Sequence, residues 1–316
     1  FSSGGESTMK TAIVFPGQGS QSVGMMGGFA DVPVVERTFR EAAEILGEDL
    51  WAPVADGPAE ALNRTVVTQP LMLTAGVACW RAWRERGGPM PSWFAGHSLG
   101  EYTALVAAQA LRFEDALPLV RLRAQSMQEA VPEGVGGIAA IVGLDDSKIA
   151  LVCEEAAEGE VLEPANLNSP GQIVIAGHRA AVERGMALAK SRGARFVKML
   201  PMSAPSHCSL MKPAAERLRE RLSGVALAPP SVPVVQNADV AAFEDPDRIR
   251  QALVEQLFRP VRWVDTVRYL HARGVTRIVE CAPGKVLAGL VKRTVDGVEA
   301  VAITDASTLD AAIATS

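Results

Sequence analysis

Apolar and polar residues recur along this chain with two different periods. Short β-branched and aromatic runs that stop at Pro or Gly, such as Thr11-Ala12-Ile13-Val14-Phe15 before Pro16-Gly17, predict strands. Longer stretches with an apolar residue every three or four positions predict helices over Val34 to Leu46, Pro70 to Arg86 and Phe113 to Ala130. Pro132-Glu133-Gly134 breaks the last of these, and the pattern then changes. A strand (Gly137 to Val142), a helix (Asp145 to Ala157), a strand (Val161 to Asn166), a turn at Ser169-Pro170-Gly171, a strand (Gln172 to Ala176), a helix (Arg179 to Ser191) and a strand (Ala194 to Met199) follow in turn. That β-α-β-β-α-β order is the ferredoxin-like unit. After Pro201 the alternation resumes, with a helix from Leu210 to Leu222, a strand from Val232 to Val235 and helices near Arg248 to Leu257 and Trp263 to His271. A strand from Arg277 to Glu280 and a helix from Lys285 complete the expected elements.

The expected architecture is therefore an α/β protein whose large subdomain, residues 9–133 and 204–316, is interrupted by a small ferredoxin-like subdomain, residues 134–203. A cleft is expected where the two meet. Phe1 to Thr8 reads as a cloning remnant ahead of a natural start at Met9. With 316 residues, 48% of them hydrophobic, the chain is long enough to bury a large core. No apolar run approaches the roughly 18 residues that span a bilayer, and no signal segment opens the chain, so the cytoplasm is the expected compartment and no membrane partner is expected. A net charge of −5 argues against nucleic acid as a partner. Two local basic clusters, Arg192 with Arg195 and Lys198, and Lys285 with Lys292 and Arg293, remain as candidate docking sites for an acidic partner, although such runs are usually solvated faces. Cys79, Cys153, Cys208 and Cys281 are scattered without a C-x-x-C pair, which predicts reduced thiols and no metal site.

Candidate chemistry centres on Gly96-His97-Ser98-Leu99-Gly100, one serine between two glycines after the apolar run Ser92-Trp93-Phe94-Ala95. A serine on so tight a strand-to-helix turn presents its hydroxyl away from the sheet, and the flanking glycines leave room for the bend. The helix that follows, Leu99 to Ala108, puts the backbone N–H of Leu99 at a helix N-terminus, where an oxyanion is stabilised. A glycine-rich turn with an incidental serine is the plainer reading, and the strand before and helix after argue against it.

A serine nucleophile needs a base, and four histidines are available. His97 adjoins the serine on a turn where neighbouring side chains diverge, His178 caps a strand of the insert, and His271 lies on an amphipathic helix. His207, in the loop Ser203-Ala204-Pro205-Ser206-His207 where the chain returns to the large subdomain, is the strongest candidate. The group that would orient its ring is left open between Glu280, Asp239 and a backbone or amide carbonyl. Gly17-Gln18-Gly19 lacks the third glycine of a dinucleotide fingerprint, and Gly284-Lys285 lacks the rest of a phosphate loop.

Taken together, several segments make the chain resemble the malonyl-CoA:acyl carrier protein transacylases of bacterial type II fatty-acid synthesis. They are Phe15-Pro16-Gly17-Gln18-Gly19-Ser20-Gln21, Thr68-Gln69-Pro70, the serine turn with Glu101-Tyr102, Arg123 with Met127-Gln128, Asn166 to Gln172, Pro205-Ser206-His207 and Pro283 to Leu287. The resemblance runs from Met9 to the C-terminus and implies an α/β-hydrolase-like large subdomain around the ferredoxin-like insert. It implies Ser98 as nucleophile, His207 as base and the main-chain carbonyl of Gln256 in place of a triad carboxylate. It further implies the N–H groups of Gln18 and Leu99 as oxyanion hole, and Arg123 as the clamp on the malonyl carboxylate. Malonyl-CoA and acyl carrier protein are the implied partners, with no metal or redox cofactor. Cys281-Ala282-Pro283 departs from a common Val-Gly-Pro but touches no implied role. A discrete acyltransferase that loads a polyketide carrier protein would share these residues. A serine thioesterase or esterase would share the turn but has no use for Arg123, and a non-catalytic scaffold binding acidic carriers has no use for Ser98 and His207.

Overall fold

The computed structural model describes residues 9–202 and 204–316. The suspected remnant, residues 1–8, and Ser203 of the loop before His207 lie outside the described residues.

Among the described residues ten strands fall into two sheets. β1 (Lys10–Phe15), β2 (Trp93–Gly96), β7 (Val234–Gln236), β8 (Ala241–Ala242), β9 (Val275–Cys281) and β10 (Glu299–Ile303) form the larger, and β3 (Gly136–Val142), β4 (Leu162–Ser169), β5 (Gln172–His178) and β6 (Phe196–Met199) the smaller. The larger sheet runs β10-β9-β1-β2-β7-β8, parallel except for the two-residue edge strand β8. A parallel sheet buries both faces under helices, which is why β1 reads as an unbroken apolar run rather than an alternation. Ile13 and Phe15 point into a core with Phe94, Leu105 and the long helix Thr65–Glu85, while Ala12 and Val14 point into a second core under Trp263 and Val267. With the antiparallel insert β4-β5-β3-β6, this is the α/β-hydrolase-like fold with a ferredoxin-like insert expected from the sequence.

The insert packs its own helices, Asp146–Ala157 and Arg179–Ser191, on one face of its sheet through Ile149, Val152, Ile173, Ile175 and Val182. The opposite face carries Ile138, Ala165 and Ala176, which bury Cys208, the neighbour of His207. β4 is also tied to the large subdomain by backbone bonds, Leu167 N–H to Val261 O at 2.9 Å and Val261 N–H to Ala165 O at 2.9 Å. The insert is thus docked against the very loop that carries His207.

One expectation needs correction, and some elements went unpredicted. The helix expected from Pro70 begins at Thr65, with Pro70 inside it; the missing N–H removes one helical bond, and close packing of Leu71, Leu73, Val77 and Trp80 keeps the helix continuous. The short helices Trp51–Asp56 and Ala59–Leu62 were not anticipated. Neither were β10 and the terminal helix Ala306–Ala314, which opens on a capping box between Asp305 and Thr308.

Candidate active site

The sharp turn after β2 places Ser98 in a left-handed conformation, φ 52°. Glycine is required on both sides of it. A Cβ on Gly96 would collide with the backbone of Gly100, and one on Gly100 with the carbonyl of Phe15. Asn237, immediately after β7, braces the turn from below: its Oδ1 accepts the Ser98 N–H at 2.8 Å and its Nδ2 donates to Gly96 O at 2.6 Å.

His207, also left-handed at φ 60°, reaches Ser98 from the loop between the subdomains. Its Nε2 lies 2.7 Å from Ser98 Oγ and its Nδ1 lies 2.7 Å from the main-chain oxygen of Gln256. A carbonyl oxygen only accepts, so Nδ1 carries the proton and Nε2 presents a lone pair to the serine hydroxyl. The two carboxylates considered from the sequence are engaged elsewhere. Glu280 is buried at the end of β9 and accepts the N–H of Ala288, and Asp239 pairs with Arg248 and Arg259. Of the other histidines, His97 bonds Asn168 Oδ1 on β4 at 2.8 Å, His178 accepts the N–H of Val161, and His271 is exposed.

Arg123, on the helix Phe113–Glu129, is fully buried beside the serine. Its guanidinium donates to Gln69 Oε1 at 2.8 Å, to Gln256 Oε1 at 2.9 Å and to Ser98 Oγ at 3.3 Å, and it lies over the Tyr102 ring. All three acceptors are neutral, so a buried cation stands next to the candidate nucleophile with no carboxylate in contact among the described residues. Gly17 lies so close to the elbow that a Cβ there would meet His97 O and Leu99 N, which sets the turn carrying Gln18 against Leu99. Among the described residues the N–H groups of Gln18 and Leu99 donate to no acceptor. A cleft of about 950 Å³ opens over this point between the subdomains, lined by Gln18, His97, Asn168, Met202, Ser206 and Leu290 among others.

Burial, and after it the charge of Arg123, lowers the His207 pKa to about 3. The ring is therefore neutral, ready to accept a proton, throughout the physiological range. An unfolded histidine binds its proton near 6.5, so between pH 6.5 and 3 the unfolded chain holds more protons than the folded one. The stability contributed by a neutral His207 is complete above pH 6.5 and is lost as the pH falls toward 3. Thermal unfolding at pH 7 and pH 4.5 is expected to show a smaller loss of midpoint in His207→Ala than in the wild type; an equal loss would show that His207 titrates normally.

Three residues of this cluster, Asn237, Glu101 and Gln69, were given no role from the sequence. Glu101 left a trace there as the lone charged residue of the segment Gly100–Ala107. Of the basic clusters, Arg192 pairs with Glu155 and Arg293 bonds Gln172, while Arg195, Lys198, Lys285 and Lys292 are exposed. The described residues contain no group of three His, Cys, Asp or Glu arranged to hold a metal ion, and none of their helices is long and apolar enough to cross a membrane. The four cysteines are free and buried.

The family described as acyl transferase domain matches residues 12–309. A malonyl CoA-acyl carrier protein transacylase of Salmonella typhimurium is 55% identical over 303 residues, 96% of this chain and 98% of that protein. The chain belongs to the malonyl-CoA:acyl carrier protein transacylase family. Among solved structures of this transacylase fold, an acyl-carrier-protein S-malonyltransferase of Burkholderia pseudomallei matches with a TM-score of 0.95 at 55% identity, covering 97% of this chain and all of that one. A malonyl-transacylase solved in complex with a type II PKS acyl-carrier protein matches with a TM-score of 0.96 at 50% identity, covering 97% of this chain and 100% of that one.

Proposed function

We propose that this protein transfers the malonyl group of malonyl-CoA to the phosphopantetheine thiol of acyl carrier protein through a malonyl-serine intermediate, supplying extender units for fatty-acid synthesis in the cytoplasm. The observation that carries the reading is the buried Arg123 guanidinium 3.3 Å from Ser98 Oγ, on a serine already bonded to His207. A planar guanidinium is suited to hold a carboxylate through two parallel hydrogen bonds, and a malonyl thioester offers one two carbons from the carbonyl under attack.

In the first half-reaction His207 Nε2 takes the Ser98 proton while Oγ attacks the thioester carbonyl. The Gln256 carbonyl holds the ring and its developing charge, and the N–H groups of Gln18 and Leu99 receive the oxyanion. Collapse breaks the carbon–sulfur bond, and the coenzyme A thiolate leaves with the proton from His207. In the second half the carrier thiol gives its proton to His207 and attacks the malonyl-serine ester; as that intermediate collapses, Ser98 Oγ recovers the proton. Residues 9–133 and 204–316 serve as the catalytic body and 134–203 as the inserted wall of the cleft, a division supported by the two separate sheets.

Intact-protein mass tests the reading. Brief exposure of the wild type to malonyl-CoA is expected to give a malonyl-sized adduct, much weaker with acetyl-CoA, and addition of holo acyl carrier protein is expected to remove it. Release of free acid without carrier would instead mark a hydrolase. A second reading, loading of a polyketide carrier, has the support of the neighbour solved with a type II PKS carrier, and the rate of adduct removal by each carrier type decides between them.

A further inference from the structure

Gln256 faces the site twice. Its main-chain oxygen orients His207, and its side-chain Oε1 accepts from Arg123 at 2.9 Å. The two ends of an amide differ little in shape, so what decides which end meets the guanidinium is what the other end touches. Here Nε2 faces three acceptors, Ser98 O at 2.9 Å, Glu101 Oε2 at 3.2 Å and Asn237 Oδ1 at 3.3 Å. Glu101 is the charged one of the three and is fully buried. Its second oxygen, Oε1, accepts the backbone N–H of Asn237, the residue whose side chain braces the Ser98 turn.

We propose that Glu101 is a positioning residue for acyl-group selection, which never touches the substrate but fixes the Gln256 amide so that its oxygen holds Arg123 where a malonyl carboxylate binds. The inference rests on the transacylase reading above. Burial raises the Glu101 carboxyl to about 8, opposed by the Asn237 N–H and by the charge of Arg123. Both of its oxygens accept from N–H donors, Asn237 N and Gln256 Nε2, and the side chain of Gln236 lies beside it, so its neighbours favour the carboxylate against burial. A purely electrostatic role would have the opposite sign: removing a negative charge behind Arg123 would tighten its grip on a carboxylate.

Glu101→Gln separates the two. The isostere keeps the volume but offers one acceptor to two N–H donors; the Asn237 donor is backbone and cannot turn away, so it holds the oxygen and the new NH₂ faces the Gln256 NH₂, whose amide must flip or lose a contact, and a flipped amide presents Nε2 to the guanidinium. Acylation by malonyl-CoA and by acetyl-CoA is measured as kcat/KM for wild type, Glu101→Gln, Gln256→Leu and the double variant. The malonyl-over-acetyl preference is expected to fall about 10- to 100-fold in each single variant, the loss of a hydrogen bond to a charged group, and no further in the double variant. An unchanged or increased preference in Glu101→Gln, or a parallel loss with both donors, would overturn the proposal. Should Glu101→Gln not fold, Gln256→Leu still decides, because a retained malonyl preference there removes the link through which Glu101 acts. If the wild type itself forms no malonyl adduct, it is the transacylase reading that fails.

Discussion

Ser98→Ala is expected to take up no acyl group from malonyl-CoA and to lose transfer activity by a factor on the order of 10⁴ to 10⁶. The variant removes one oxygen and little else. Alanine meets the same backbone cost as serine at a left-handed position, so the turn bonded to Asn237 survives, and with it the placement of the N–H groups of Gln18 and Leu99. Arg123 keeps its bonds to Gln69 and Gln256. Binding of malonyl-CoA is therefore expected to persist while the covalent step disappears, a separation read by equilibrium binding beside intact mass. A malonyl adduct on Ser98→Ala would move the nucleophile to another residue; loss of binding together with acylation would mean that Ser98 serves mainly to build the site.

What the sequence made legible follows from how each element is stabilised. Parallel strands such as β1 and β2 are covered on both faces, so they appear as short apolar runs bounded by Gly or Pro, and the insert's alternation of strands and helices is set by residues close in the chain. The helix from Thr65 was obscured at its start because Pro70 imitates an N-terminal signal, and only tertiary packing overrules it. At the site, Ser98 is marked by the glycines its turn requires, and His207 by its place at the return from the insert. The group orienting His207 could not be read from side chains at all: a main-chain oxygen belongs to every residue, and Gln256 supplies one only because the end of its helix, Pro246–Gln256, points there. Glu280 and Asp239 show the reverse, carboxylates with the right chemistry that the fold commits to Ala288 and to two arginines. Asn237 was equally silent, since its role depends on strand β7 lying beside β2.

Arg123→Ala is expected to lower malonyl transfer by roughly 30- to several-thousand-fold, the range set by about 2–5 kcal/mol for removing one partner of a buried charge pair. Its effect on acetyl transfer has the opposite sign. In the wild type an acetyl group leaves the buried guanidinium with neutral partners alone, Gln69, Gln256 and the serine oxygen, and that unpaired charge also holds down the basicity of His207, second only to burial. A bound malonyl carboxylate would relieve both effects at once, so on the proposed reading Arg123 is expected to favour malonyl-CoA in the chemical step as well as in binding. Replacing it with alanine removes the relief for malonyl and the penalty for acetyl, raising His207 toward its ordinary basicity for any donor. The change is therefore expected in kcat as well as KM: acetyl-CoA acylation rises above the wild-type rate while malonyl-CoA acylation falls, measured in single turnovers with each donor. A folded variant that loses malonyl transfer through KM alone, with acetyl acylation unchanged, would reduce Arg123 to a binding contact and break its link to the base.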